Sequence, residues 1–240
     1  MPFNSLRLRT GLPELLDGPL QADAELAGNL RDLAHINRWS GGDLLLHAAV
    51  QRLLEPLPAR HFSLLDVGGG DGNGLSGIVR WAARRHLSCR GIVLDHSGPV
   101  LQLAGRRRQP AIRLLQGDGC RLPLADNSVD IVSCSLVLHH FALAPAQSTL
   151  REMARVARLG VIVDDLLRSH VGLLGAWVMG RLLTTNRLTR HDGPLSVRRA
   201  FRATELAALL AHADLRPIWQ HTIPGYRSVV AARPLAPASP

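Results

Sequence analysis

Residues 62–74, FSLLDVGGGDGNG, decide the fold of this chain. The run from Phe62 to Val67 is short and apolar and ends at glycines, so it predicts a buried strand. Five glycines occupy the seven positions 68–74, which is more than one turn requires. Glycine lets the backbone turn tightly and approach a ligand, and a helix starting near Leu75 would direct its N-terminal amides to the same place. The stretch therefore predicts a strand that ends in a ligand-binding loop.

Downstream of this loop, short apolar runs alternate with helical patterns, which is typical of parallel strands joined by helices. The predicted strands are Phe62 to Val67, Arg90 to Asp95, Ala111 to Gln116, Val129 to Cys134, Leu159 to Asp164, 216–223 (RPIWQHTI) and 226–233 (YRSVVAAR). Pro224 and Gly225 separate the last two and predict a closing hairpin. We expect an α/β fold: a seven-stranded, mostly parallel sheet with helices on both faces, a terminal antiparallel hairpin and an N-terminal helical cap.

The regions around the predicted sheet divide the chain into residues 1–58 as the cap, 59–233 as the α/β domain and 234–240 as a tail. Apolar residues at helical spacing predict the first helix of the cap: Leu26, Leu30, Leu33, Ile36 and Trp39. Gly41 and Gly42 separate it from a second helix, which Pro56 and Pro58 close. Residues 166–203 form an insertion, which we expect over the carboxyl ends of the strands, where ligands bind in such folds. Thr204 is the predicted N-cap of the last helix.

Acidic residues stand at the ends of three consecutive predicted strands: Asp66, Asp95 in GIVLDHS and Asp118 in LLQGDGC. A carboxylate at such a position can accept both hydroxyl protons of a ribose. A GxGxxG pattern at Gly72, Gly74 and Gly77 would indicate a dinucleotide, but it begins too far beyond the strand end. The chain has no lysine to grip phosphates, and these features together predict a pocket for an adenosine without phosphates.

Four motifs resemble, in order and spacing, those of class I S-adenosylmethionine-dependent methyltransferases: LLDVGGGDGNG, VLDHS, GDGCRLPLADNSVDIVSCSLVLHH and VIVDD. The branch they resemble includes the ubiquinone and menaquinone C-methyltransferases and many natural-product O-methyltransferases. The resemblance implies S-adenosylmethionine as the cofactor. It implies that the cofactor is bound by Asp66, Gly68, Gly70, Gly72, Asp95, His96, Asp118, Gly119 and Ser135. RVARLGVIV is shorter than the family's usual stretch before the fifth strand, so that crossover is expected to be trimmed.

Two pairs of residues are expected near the transferred methyl group, namely His139 with His140 and Asp164 with Asp165. Methyl transfer needs a positioned acceptor and a group that removes its proton, which suits a His–Asp pair. The resemblance implies that His139 and Asp165 form this pair. The alternative is that these residues pack or cap at a helix start. His191, in TRHDGP, is a further candidate base, or else a turn residue.

The helix predicted from HVGLLGAWVMGRLL (170–183) has little polar relief on any face, which favours a core helix or a homodimer interface over a lid. As a lid it would cover an apolar acceptor, and the predicted acceptor is a lipophilic small molecule. O-methylation of a phenol or enol is favoured over C-methylation of a quinol ring. Nucleic-acid methylation and a non-catalytic scaffold are further alternatives.

Charge and cysteine content bear on partners and compartment. The net charge is +9, but the tight basic cluster is confined to Arg106, Arg107 and Arg108 and has no aromatic neighbours, so no nucleic-acid partner is expected. The three cysteines are scattered and there is no metal-binding spacing, so we expect reduced thiols, a cytoplasmic protein and no metal. No apolar run is long enough to cross a membrane.

Overall fold

The structure is a computed structural model and describes residues 6–18, 23–55, 60–107 and 109–235. Several predicted features lie outside the described residues: Pro56 and Pro58, Arg108 of the arginine cluster, and residues 236–240 of the tail.

The strands form one seven-stranded sheet in the order β3-β2-β1-β4-β5-β7-β6. They are β1 (His61–Val67), β2 (Ser88–Asp95), β3 (Ile112–Gln116), β4 (Val129–Ser135), β5 (Ala157–Leu166), β6 (Leu215–Ile223) and β7 (Arg227–Pro234). Strands β1 to β5 pair in parallel, whereas β7 runs antiparallel to both β5 and β6. The predicted fold class, with its terminal hairpin, is confirmed.

The helices among the described residues are α1 (Asp23–Trp39), α2 (Gly42–Leu54), α3 (Asn73–Ala83), α4 (Gly98–Gly105), α5 (Leu143–Val156), α6 (His170–Leu182), α7 (Arg187–Arg199) and α8 (Ala203–His212), with a 3₁₀ helix at Leu138–His140. Successive strand residues point to opposite faces, so the strands supply two cores. Leu65 and Val132 belong to the core under α5 and α8, while Leu64 and Ile131 belong to the core under α2 and α3. Helix α2 of the predicted cap is therefore part of a layer that covers the sheet.

Two element boundaries differ from the sequence prediction. The last helix begins at Arg202 as its N-cap, so the prediction for Thr204 is wrong. Its first turn is closed because the Arg202 N–H donates to Glu205 Oε2 at 2.9 Å, which satisfies an otherwise free amide. Strand β5 starts at Ala157, directly after α5, two positions before the predicted Leu159. The crossover is therefore so short that no loop separates α5 from β5.

The insertion contains two helices rather than a helix and a turn. The Asn186 side chain accepts hydrogen bonds from the N–H groups of Leu188 and Thr189 and caps α7. His191 and Asp192 lie inside α7, so their interpretation as turn residues is wrong. Pro194 also lies inside this helix, where it cannot donate a backbone hydrogen bond. The residues TRHDGP favour a turn locally, but the packing of α7 against α6 and α1 stabilises the helix.

Apolar side chains occupy both sides of α6. Leu173 is buried, whereas Val171 and Leu174 are exposed on the outer face.

In the N-terminal cap, Trp39 is 83% exposed and does not join the buried face predicted for α1. Across the described ranges, no helix has the length and apolarity needed to span a bilayer.

A buried ion pair joins β7 to β5. Arg227 is fully buried, and its Nε and Nη2 donate to the two carboxylate oxygens of Asp164. Its Nη1 lies 3.5 Å from Ser40 Oγ at the corner between α1 and α2. A Cβ on Gly42 would lie 2.5 Å from the same Nη1 atom, which explains why the second helix starts with glycine. From its place on β7, the Arg227 guanidinium therefore contacts both β5 and the corner between α1 and α2.

We predict that Arg227→Met lowers the free energy of unfolding by about 3–5 kcal/mol, because it leaves the Asp164 carboxylate buried without its cation. Urea denaturation of the purified variant measures this. The matched control is Arg106→Met, which removes a pair with Asp23 whose side chains are 64% and 70% exposed. The control should change stability by about 0–1 kcal/mol. Equal losses in the two variants would contradict a structural role for the buried pair.

Candidate functional site

The loop after β1 needs glycine at particular positions. Gly68, Gly70 and Gly72 have φ angles of 66°, 58° and 75°, in the left-handed region that side chains with a Cβ rarely adopt. At Gly68 a Cβ would also lie 2.6 Å from the side chain of Val137. The loop can therefore fold back under β4 and begin α3 at Asn73 only with these glycines.

The sheet order places a cavity at the end of this loop. Strand β1 pairs with β2 on one side and β4 on the other, so the chain leaves β1 and β4 in opposite directions and opens a crevice. The cavity there has a volume of about 520 Å³, within the range of small-molecule sites. Its walls are the glycine loop with Asp66, the segment Asp95–Val100, the end of β4 and the apolar face of α1.

Asp66 is the most deeply buried acid on this wall. Asp66 is 5% exposed, and Ser133 Oγ donates to Asp66 Oδ1 at 2.8 Å. Burial raises the pKa of the Asp66 carboxyl to about 7, although the hydrogen bond from Ser133 opposes the shift. Ionised Asp66 would be stabilised by a ligand that brings a positive charge to it.

Asp95 holds the glycine loop from the neighbouring strand. Its Oδ2 accepts from the Gly70 N–H at 3.1 Å, and its Oδ1 accepts from the Ser97 N–H at 2.9 Å. A carboxylate has about four acceptor positions, so two remain for a ligand's hydroxyl groups. His96, mostly exposed, lines the same cavity beside it.

The structure brings six of the nine predicted cofactor residues to this cavity: Asp66, Gly68, Gly70, Asp95, His96 and Ser135. Gly72, Asp118 and Gly119 are not on its lining. Gly72 is the N-cap of α3, and Asp118 accepts a hydrogen bond from the Cys120 N–H at 2.8 Å. A Cβ at Gly119 would lie 3.0 Å from Val67, so this glycine packs against β1.

A second, smaller cavity of about 120 Å³ adjoins the first. Residues common to both linings mark the junction: Leu16, Leu33, Asn37, Leu136 and His140. Leu136 has a φ of 59°, an uncommon conformation for a non-glycine residue that often accompanies functional sites. Its N–H donates to the Asp164 carbonyl at 2.8 Å, which holds the strained residue between the cavities.

His139 and Asp165 form a buried pair on the wall of the second cavity. The Nδ1 of His139 lies 2.6 Å from Asp165 Oδ1, and the His139 N–H donates to Asp165 Oδ2 at 2.9 Å. Burial works against ionisation of Asp165, but His139 and these hydrogen bonds hold the pKa of its carboxyl below the usual range. The ionised carboxylate orients the ring so that Nε2 is the nitrogen without a proton.

The other predicted bases lie differently. His140 is partly exposed, and its Nδ1 lies 3.0 Å from Asp17 Oδ1. His191 is half exposed, pairs with Asp192 at 2.7 Å and is not on the lining of the cavity. The structure therefore brings His139, His140 and Asp165 together and leaves His191 outside.

Glu14 is a member of this cluster that the sequence reasoning missed. Its carboxylate lies 3.8 Å from the Nε2 atoms of both His139 and His140, and Ser196 Oγ donates to it at 2.9 Å. Burial raises the pKa of the Glu14 carboxyl to about 7, although His140 and Ser196 oppose the shift. Glu14 stands in an irregular segment without a motif, so no local signal could have found it.

A metal ion does not fit this cluster well as it stands. Ligand atoms of Glu14, His139 and His140 lie within 4.8 Å of one another. Bonds from a metal to nitrogen or oxygen need about 2.0–2.2 Å, so the 3.8 Å gaps would have to contract. The Arg199 guanidinium, 4.0 Å from Glu14, would also oppose a second cation.

Comparisons with known proteins identify the kind of domain that builds these cavities. Residues 65–163 match the family model described as a methyltransferase domain. Residues 65–163 of this chain are therefore similar to a methyltransferase domain. A demethylmenaquinone methyltransferase from Corynebacterium kroppenstedtii is 32% identical over 136 residues, which cover 57% of this chain and 54% of that protein. The chain spans about half the length of the curated relatives it matches.

Solved structures share the fold of this methyltransferase domain. An S-adenosylmethionine-dependent methyltransferase from Aquifex aeolicus superposes with a TM-score of 0.60 at 17% identity, over 89% of this chain and 98% of that one. Human N-acetylserotonin methyltransferase, in complex with S-adenosylmethionine, superposes with a TM-score of 0.63 at 16% identity, over 89% of this chain and 56% of that one.

S-adenosylmethionine is the cofactor of the solved structures that share this fold, and the larger cavity has the chemistry to hold it. The cofactor carries a sulfonium, an ammonium group and a ribose, but no phosphate. Asp66 offers a buried acid to a cation, and Asp95 has acceptor positions left for ribose hydroxyls. Ser135, at the end of β4, belongs to the same lining.

We predict that cofactor binding depends on the ionisation of Asp66. S-adenosylhomocysteine, which keeps its ammonium group, should bind about tenfold more tightly at about pH 8 than at about pH 6, because an acid with a pKa near 7 must lose its proton first. Calorimetry in buffers of different ionisation enthalpy should detect proton release. Asp66→Asn is expected to abolish this pH dependence. A dependence that survives in Asp66→Asn would show that another group titrates.

We also predict that Asp95→Asn weakens S-adenosylmethionine binding by about 1.5–3 kcal/mol, or roughly 10- to 150-fold, because charged hydrogen bonds are lost. The measurement is isothermal calorimetry. Asp126→Asn, at a side chain 71% exposed, is the matched control and should bind normally. Unchanged binding in Asp95→Asn would refute the assignment of Asp95 to the cofactor site.

Proposed function

We propose that this chain transfers the methyl group of S-adenosylmethionine to a phenolic or enolic hydroxyl of a lipophilic small molecule. The observation that carries this proposal is the junction of the two cavities at Leu136 and His140. A cofactor in the larger cavity and an acceptor in the smaller one would meet there. In-line displacement at a methyl group requires this arrangement of donor and nucleophile.

The lining of the smaller cavity supports a lipophilic acceptor with one polar end. Its walls include apolar side chains from several elements: Leu33, Ile36, Leu166, Ala176, Met179 and Val197. Polar side chains also lie on this lining, among them Glu14, His139 and Ser196, and the Ser196 hydroxyl donates to Glu14. A molecule with an apolar body and a hydroxyl group would bury the first and hydrogen bond through the second.

In this proposal His139 removes the acceptor's proton. The pairing of Nδ1 with Asp165 leaves Nε2 as the basic nitrogen and stabilises the imidazolium after proton transfer. The acceptor oxygen loses its proton to Nε2 and forms a bond to the methyl carbon. The bond from that carbon to sulfur breaks, and the sulfonium becomes a neutral thioether. The cofactor residues Gly72, Asp118 and Gly119 remain candidates for loop support and adenine contact.

A second candidate function is carbon methylation of a quinol ring. Identity to a protein named demethylmenaquinone methyltransferase favours it. The same base and the same junction between cavities would serve this reaction, because a quinol also loses a proton from oxygen.

The test is an assay with S-adenosylmethionine and two probe acceptors, 5-pentylresorcinol and a 1,4-naphthoquinol. NMR of the products distinguishes a methyl ether from a methyl group on ring carbon. Ether formation on 5-pentylresorcinol supports the proposal. Methylation confined to ring carbon of the naphthoquinol would replace it with the second candidate.

We predict that His139→Gln lowers kcat by about 10²- to 10⁴-fold, as expected for loss of a general base. Affinity for S-adenosylmethionine should stay close to that of the parent protein, because His139 is not on the lining of the larger cavity. Steady-state kinetics and calorimetry measure the two effects. His212→Gln, an exposed change at the end of α8, is the control. Turnover that survives in His139→Gln would remove this residue as the base.

A further inference from the structure

The Glu14 carboxylate lies between two imidazole rings. Glu14 Oε1 is 3.8 Å from His139 Nε2, and Glu14 Oε2 is 3.8 Å from His140 Nε2. Each of these gaps is about 1 Å longer than a hydrogen bond, so a small side-chain shift closes it. One carboxyl group can therefore exchange a proton with either ring.

Both rings are oriented for this exchange. His139 presents Nδ1 to Asp165 at 2.6 Å, and His140 presents Nδ1 to Asp17 at 3.0 Å. A proton on each Nδ1 satisfies these carboxylates and leaves both Nε2 atoms as acceptors. The two acceptors face the same Glu14 carboxyl.

Exposure of the side chains to solvent increases along the row of residues His139, Glu14, His140 and Asp17. The His139 and Glu14 side chains are each 3% exposed, whereas His140 is 23% and Asp17 is 29% exposed. His140 also lines the larger cavity, where His139 does not. The row thus leads from a buried base to a group that water can reach.

We propose that Glu14 is the outlet through which the proton taken by His139 leaves the site. This inference rests on the proposed function, in which His139 Nε2 receives one proton in each turnover. Glu14 starts as the neutral acid with its proton on Oε2. Its Oε1 accepts the proton from the imidazolium while Oε2 releases its own proton to His140 Nε2, and rotation of the carboxyl group restores the starting state. His140 then passes its proton to water, and both rings return to their neutral state. One proton enters the medium for each methyl group transferred.

Asp165, which faces Nδ1 of His139, does not carry this proton. Burial opposes ionisation of Asp165, but its contacts with His139 keep the pKa of its carboxyl low, so it stays ionised as an orienting group. The pKa of Glu14, raised to about 7 chiefly by burial, suits a group that both accepts and releases a proton near neutral pH.

Other charged groups face the cluster from neighbouring elements. Arg199 on α7 contacts Asp17 at 2.7 Å and lies 4.0 Å from Glu14 Oε1. Arg9 donates to the carbonyl of Phe141 at 2.8 Å, and Asp192 on α7 accepts from the N–H groups of Leu15 and Leu16. These contacts hold the segment that carries Glu14 against the insertion. Since Arg199 stabilises the ionised form of Asp17, the exchanging groups remain Glu14 and the two histidines.

Pre-steady-state kinetics of Glu14→Gln with S-adenosylmethionine and 5-pentylresorcinol test the outlet. Methyl transfer is followed by rapid quench, and proton release by a pH indicator. We expect first-turnover methyl transfer within about threefold of the parent protein, followed by steady-state turnover at least about tenfold slower with delayed proton release. Imidazole added to the buffer should restore steady-state turnover, because a diffusible base replaces the missing carboxyl. Glu14→Asp should retain part of the parent rate.

The control is Glu55→Gln, the same chemical change in a surface pair with Arg52. It should show parent kinetics in both phases. Coincident proton release and methyl transfer in Glu14→Gln would overturn the outlet. A slow first turnover that imidazole does not restore would also overturn it, because Glu14 would then act only in building the site.

The failure of the proposed function has a different signature. If His139→Gln turns over normally, the assignment of His139 as the base is wrong, whatever Glu14→Gln does.

The outlet can also be tested without an acceptor, by nitrogen-15 NMR of the imidazoles in the complex with S-adenosylhomocysteine. The outlet requires that Glu14→Gln change the nitrogen-15 chemical shifts of the Nε2 atoms of both His139 and His140, since both lose a facing carboxyl. A change at neither ring would overturn the proposal even if 5-pentylresorcinol is not a substrate.

Discussion

Parallel pairing of β1 with both β2 and β4 is the constraint on which the rest of this structure depends. It brings the carboxyl ends of these strands to one edge of the sheet and makes the chain leave β1 and β4 in opposite directions. The crevice between these directions becomes the cofactor cavity. The left-handed glycines then let the loop after β1 turn beneath Val137 without a clash. In the proposed reaction, the methyl donor and the acceptor meet at this edge of the sheet.

The buried acids at that edge differ in function because they differ in partners. Asp164 and Asp165 are consecutive on β5, so their side chains point to opposite faces of the sheet. Asp164 meets Arg227 and contributes to the frame, whereas Asp165 meets His139 and orients a ring. Asp66 meets no cationic side chain in these contacts and accepts a hydrogen bond from the Ser133 hydroxyl. Burial alone would raise the pKa of all these acids, and the partner decides which of them stays ionised.

The N-terminal segment and the insertion supply the walls of the two cavities that the sheet does not form. Helix α1 closes the larger cavity with apolar side chains, and α6 and α7 line the smaller one. Polar contacts between residues 14–17 and α7 hold Glu14 in the gap between the two histidines. The chemistry of the site therefore depends on segments far apart in the chain as much as on the methyltransferase domain itself.

The sequence by itself determined the class of fold, the strands, the hairpin and the cofactor, because these follow from local periodicity, glycine positions and ordered motifs. It also supplied His139 and Asp165 as a candidate pair. Only the tertiary structure decided that the His191 side chain lies outside the lining of the smaller cavity and that Glu14 joins the cluster around His139. The physical reason is that a contact between residue 14 and residue 139 leaves no trace in spacing or periodicity. Such contacts exist only after the sheet, the insertion and the N-terminal segment have packed together.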